Sequence, residues 1–165
     1  MTRHSSTLLL IVLVGCSKVG GADTGSSSIT EEAFGDCPEP APAGEALAWS
    51  ALSGLGYLDH FEDSGAGLIE DAEAWAEAVP NLSPEDAGVD FDTQVAAVAN
   101  WWTGGCEWPT QEVSAAVSDG ASAYVEFTFD NSTTGNCEMA ILTGMGVAVT
   151  KHEQVSVCLK TLTNY

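Results

Sequence analysis

Apolar and polar positions alternate strictly from Ala123 to Asp130. Ala123, Val125, Phe127 and Phe129 fall on one side, Tyr124, Glu126, Thr128 and Asp130 on the other. That period of two predicts a β-strand with one face in a core and one face outward. Just ahead of it, Ser118-Asp119-Gly120-Ala121 holds the Asp-Gly pair of a tight hairpin, with Gln111–Val117 as the partner strand. From Val89 the same period puts Phe91, Thr93, Val95, Ala97, Ala99 and Trp101 on one face of a longer strand. Ala140–Thr150 and Gln154–Leu162 read as two more strands, joined by a hairpin turn at Lys151-His152-Glu153. Leu47–Leu52 is a short apolar strand, and Gly65 and Gly67 mark a turn.

One stretch has helical spacing. Glu70–Val79 places Ala72, Trp75, Ala76 and Val79 on one side and Glu73 and Glu77 on the other. Pro80 and Pro84 end it, and Ser83-Pro84-Glu85-Asp86 reads as a cap with one extra turn. The expected fold is α+β and mostly β: an antiparallel sheet, single or sandwich-like, with one short packed helix, in a single domain over residues 46–165.

The seven residues Leu8–Val14 form an apolar run behind Arg3 and His4. A membrane-spanning helix needs roughly 20 such residues, whereas a signal peptide needs about this many. The run ends Leu13-Val14-Gly15-Cys16, which resembles the lipobox of bacterial lipoproteins. The resemblance implies a signal peptide over 1–15, cleavage before Cys16, and acylation of Cys16, palmitate included. It implies a membrane-anchored lipoprotein of the cell envelope, and Ser17 in place of Asp implies the outer membrane. The competing reading is a buried apolar strand that ends in cysteine. Residues 16–45 are rich in Gly, Ser, Pro and acid and read as a flexible tether.

The charge is lopsided: 24 Asp and Glu against 4 Lys and Arg, a formal net charge of −20. An acidic protein of this kind repels nucleic acid and anionic headgroups. A basic partner, a saline habitat or plain solubility each fits.

Setting Cys16 aside leaves Cys37, Cys106, Cys137 and Cys158. Their wide spacing lacks the close pairs of a zinc site, and an even count in an exported domain suggests two disulfides. If the strands form a meander, the loops carrying Cys106 and Cys137 share one end of the sheet. Cys158 lies on the polar face of its strand and needs a partner arriving from outside, which Cys37 supplies. The expected pairs are Cys106–Cys137 and Cys37–Cys158. Asn100–Thr110, NWWTGGCEWPT, is then a stapled corner. Trp101 and Trp102 point to opposite faces, so only one joins the main core. Trp102 and Trp108 are either packed or exposed, and exposed they are candidates for binding a partner or a sugar.

Catalytic chemistry is sparse. His60, among Asp59, Glu62 and Asp63, and His152 are the histidines beyond the leader. No serine stands in a G-x-S-x-G elbow. Asp130-x-Ser132-x-Thr134-Gly135 echoes a calcium loop, but Ile141 stands where an EF-hand has its Glu. No metal site, cofactor or catalytic residue is expected.

The succession Glu73-Ala74-Trp75, Val89-Asp90-Phe91-Asp92 and Thr103-Gly104-Gly105-Cys106 resembles the C-terminal domain of PrcB-type protease-complex lipoproteins, across residues 47–162. The resemblance implies a domain that stabilises or assembles a cell-surface protease, and it offers no catalytic residues. Gly-Gly-Cys, followed by Glu107-Trp108-Pro109, departs from the Gly-Gly-Tyr-like turn common there. The expected function is non-enzymatic: a binding or assembly module for another envelope protein. Glycan or calcium binding is the second reading and a small hydrolase the third.

Overall fold

The computed structural model describes the backbone of residues 29–32 and, in full, residues 37–56, 58, 64–131 and 139–162. Two sheets face one another. One has five strands in the order β1 (Ile29–Glu32), β4 (Gly65–Ile69), β5 (Gln94–Gly104), β8 (Ala140–Thr150) and β3 (Trp49–Ala51). The other has four, β2 (Glu45–Ala46), β6 (Thr110–Ser118), β7 (Ser122–Asp130) and β9 (Gln154–Leu162). The chain is mostly β, as expected, and takes the sandwich form. Its pairings are antiparallel except β7 with β9, which run parallel.

That parallel pair corrects the meander. Lys151-His152-Glu153 is no hairpin turn: it carries the chain from β8 in one sheet to β9 in the other. Leu47–Leu52 is likewise not one strand, because Glu45–Ala46 pairs with β6 and Trp49–Ala51 with β8. Gly65 and Gly67 lie within β4, not in a turn. Both sit on the face that carries Ile69 into the helix-side core. Within the segment read as tether, Ile29–Glu32 pairs along β4 and Glu45–Ala46 along β6.

The main core lies between the sheets. Val95, Ala97, Ala99 and Trp101 of β5 meet Val125, Phe127 and Phe129 of β7, with Val147, Val149, Val157 and Leu159. The expected β5 face holds from Val95 on, but Phe91 and Thr93 precede the strand. Asp90 captures that stretch locally: its carboxylate accepts from Asp92 N at 3.0 Å and Thr93 Oγ1 at 3.1 Å. Such Asx bonding competes with a strand ladder.

A second core covers the outer face of the five-stranded sheet. Helix α1 (Ala72–Ala78), capped by Asp71, buries Trp75 against Ala96 and Val98. The indole N–H donates to Leu82 O at 2.6 Å. The buried side of α1 is Ala74, Trp75 and Ala78, not the expected Ala72 and Ala76. Alanines carry too little apolar area to choose a face, so Trp75 sets the rotation. One-turn α2 (Pro84–Ala87) follows its Ser83 cap and closes on Gly88 at φ 90°. β5 is therefore covered on both faces, which explains its near-continuous apolar run.

Candidate functional site: an exposed tryptophan corner and an open sheet edge

β5 runs out of covering layers at its end. Trp101 turns inward, its ring tilted against Phe129 at 6.4 Å between centroids. Trp102 turns outward and is 50 % exposed. Its cross-strand neighbour on β8 is Leu142, also exposed. Trp108, in the connection from β5 to β6, is 65 % exposed. Met139 is exposed at the same corner, where its carbonyl accepts from Gly105 N at 3.0 Å. Trp102 and Trp108 thus share one end of the sandwich, with no ring contact between them among the described residues.

The staple of this corner is partly in view. Cys106 is disulfide-bonded; Cys137, its expected partner, lies outside the described residues, as do Cys16, His60 and most of the Asp130–Asn136 loop. Cys37 bonds Cys158 as expected, with Cα atoms 5.6 Å apart. His152 is on the surface, Nδ1 2.7 Å from Thr150 O.

That disulfide explains a feature the sequence reading missed. Tyr124, Glu126 and Thr128, read as outward, are all buried. The segment Cys37–Ala43 crosses this face of β7 and β9, fixed by the disulfide opposite Glu126 and by the Glu39–Lys160 ion pair. Beneath it, Glu126 accepts from Ser114 Oγ at 2.8 Å and from Tyr124 OH at 2.8 Å, and Thr128 Oγ1 donates to Ser114 at 2.8 Å. Both carboxylate oxygens have donors, as burial of a polar group demands. The network ties β6 to β7 beneath the crossing segment. The signal that could have exposed it is Cys158, a buried-type residue on the same polar face.

The edge beside β6 is a second feature absent from the sequence reading. β2 covers β6 only at Val117 and Ser118, and β3 covers β8 only from Val147 to Val149. Between the remaining edges lies a groove of about 430 Å³, lined by Trp49, Leu55, Gln111, Val113, Met145 and Val147 among others. Gln111 Nε2 bridges the sheets to Thr143 Oγ1 at 2.6 Å.

Among the described residues no group of three His, Cys, Asp or Glu side chains is placed to hold a metal ion, and no helix is long and apolar enough to cross a membrane. Comparison with protein families, curated proteins and solved structures finds no match to this chain.

Proposed function

We propose that this is a lipid-anchored envelope protein, held at the outer membrane through Cys16, whose sandwich is a non-enzymatic binding or assembly module for another envelope protein. A surface protease is the partner implied by the PrcB resemblance. The observation that carries the reading is the exposed corner of Trp102, Trp108, Met139 and Leu142. Large apolar side chains gathered at one end favour a protein contact. Cross-linking in the native membrane, then extraction and mass spectrometry, tests it. One protein should be recovered in near-stoichiometric amount, and Trp102→Ala with Trp108→Ala should abolish its recovery. Recovery of the chain alone at good cross-linking efficiency overturns the reading. Cys16→Ser should move the protein from the membrane to the soluble fraction. The same exposed indoles favour glycan binding as a second reading, in which cell-wall fragments raise the melting temperature and no protein is captured.

A further inference from the structure

The open side of the sandwich supports an inference that rests on the binding reading and gives it a second address. β6 pairs with β7 at every residue but Ser114, where it bulges, yet from Thr110 to Ala115 its other edge meets no strand among the described residues. Those residues offer roughly 20 Å of free edge at about 3.3 Å per residue. An unpaired edge exposes backbone N–H and C=O groups and is a template for an added strand.

We infer that this edge accepts an extended peptide with alternating apolar and basic side chains. The alternation follows from β6 itself. Gln111 and Val113 turn into the groove, while Glu112 between them is exposed at its rim. A strand laid beside β6 alternates in step with it. Its inward side chains enter the groove against Trp49, Val113 and Met145. Its outward side chains lie beside Glu112, where a cation makes a favourable cross-strand pair.

The charge of the chain selects the sign of the occupant. Both described lysines are committed elsewhere, Lys151 to Phe91 O at 2.6 Å and Lys160 to Glu39. Glu112 therefore has no cation of its own among the described residues. With 24 acids against 4 basic residues, the protein's field draws in a basic peptide and repels an acidic one. A second copy of this chain brings the same negative charge to the edge.

The probe is a synthetic hexapeptide, acetyl-Lys-Val-Lys-Val-Lys-Val-amide, titrated into the full chain and followed by Trp49 fluorescence and by amide hydrogen exchange. Two control peptides replace Lys by Glu or regroup the residues as Lys-Lys-Lys-Val-Val-Val. The alternating basic peptide should bind and slow exchange at amides within Thr110–Ala115. Both controls should bind at least tenfold more weakly. Glu112→Lys should weaken the basic peptide at least tenfold at unchanged melting temperature, and Trp49→Phe, which also identifies the fluorescence signal, should leave exchange protection in place. No binding at millimolar peptide, equal binding of the controls, or protection elsewhere overturns the inference. Protection of the edge by increasing protein concentration alone assigns it to a second copy and overturns it too. Native-membrane cross-linking separates this failure from that of the wider reading. A partner whose cross-links map only to the tryptophan corner leaves the assembly module standing without the edge, whereas no partner at all removes both.

Discussion

The side-chain amide of Asn100 pairs with both backbone groups of Leu58, accepting from its N–H at 2.9 Å and donating to its carbonyl at 2.6 Å. Asn100 is fully buried on β5, and Leu58 is 2 % exposed. The amide acts as one rung of a strand ladder and fixes Leu58 to β5. Asn100→Ala should cost roughly 2–5 kcal/mol, because two buried backbone groups lose their partners. Asn100→Asp should cost at least as much, since it removes the donor to Leu58 O and buries a charge. Urea unfolding of both variants checks the order.

Gly144 and Gly146 of β8 lie beneath residues 52–56. A Cβ on Gly144 would run into the backbone carbonyl of Gly56, which has no rotamer by which to retreat. A Cβ on Gly146 would sit 2.7 Å from Leu55 Cδ1, the movable end of a side chain. Gly56 has open space at its own Cβ position. Gly144→Ala should therefore destabilise by about 1–3 kcal/mol, the usual range for overpacking. Gly146→Ala should cost less, and Gly56→Ala should stay within roughly 0.5 kcal/mol. Thermal unfolding of the three ranks them.

Breaking Cys37–Cys158 should loosen one face before it unfolds the whole. Cys37→Ala with Cys158→Ala should cost about 2–5 kcal/mol, the common range for a native disulfide. Amide exchange should rise first at Tyr124, Glu126 and Thr128, which lie beneath the segment the disulfide fixes. Exchange that rises uniformly instead would assign the bond only a global role.

Stability should fall on acidification through two surface carboxylates. The backbone N–H of Ser122 holds Asp119 below its ordinary pKa, and the Lys160 ammonium does the same for Glu39. A depressed folded-state pKa gives stability that is present above the unfolded value and lost as pH falls through the folded one. Lys160, raised chiefly by Glu39, loses its share at the other end, as pH rises through its folded pKa. Asp119→Asn and Glu39→Gln should each flatten the acid limb of a stability–pH curve. Salt should blunt the Glu39 effect, since that pair is exposed.

The tryptophans should divide by place. Trp75→Ala should cost about 3–5 kcal/mol as a large core truncation, visible as a lower denaturant midpoint. Trp102→Ala and Trp108→Ala should change stability by no more than roughly 0.5 kcal/mol.

Much of this architecture was legible in the sequence. The alternation from Ala123 to Phe129 marked the inner face of β7, Asp119-Gly120 marked its hairpin, and the opposed directions of Trp101 and Trp102 followed from strand geometry. Which strands pair was not legible, because a period of two assigns faces and not neighbours. The split of Leu47–Leu52 between two sheets and the parallel run of β9 beside β7 therefore came only with the structure. Tyr124, Glu126 and Thr128 looked solvated because their cover arrives from Cys37–Ala43, far away in sequence. The β6 edge is hidden for a related reason: it depends on how short β2 and β3 are, and no residue of β6 encodes that.

The Cys37–Cys158 bond also defines where mechanical load travels. Tension on the chain ahead of Cys37 first peels the four-residue pairing of Ile29–Glu32 with β4. It then reaches Cys37 and passes directly through sulfur into the middle of β9. The short strands Glu45–Ala46 and Trp49–Ala51, which would be the next to unzip in an uncrosslinked chain, lie outside the load path. A pulled molecule should give way once at low force and then resist as an intact sandwich.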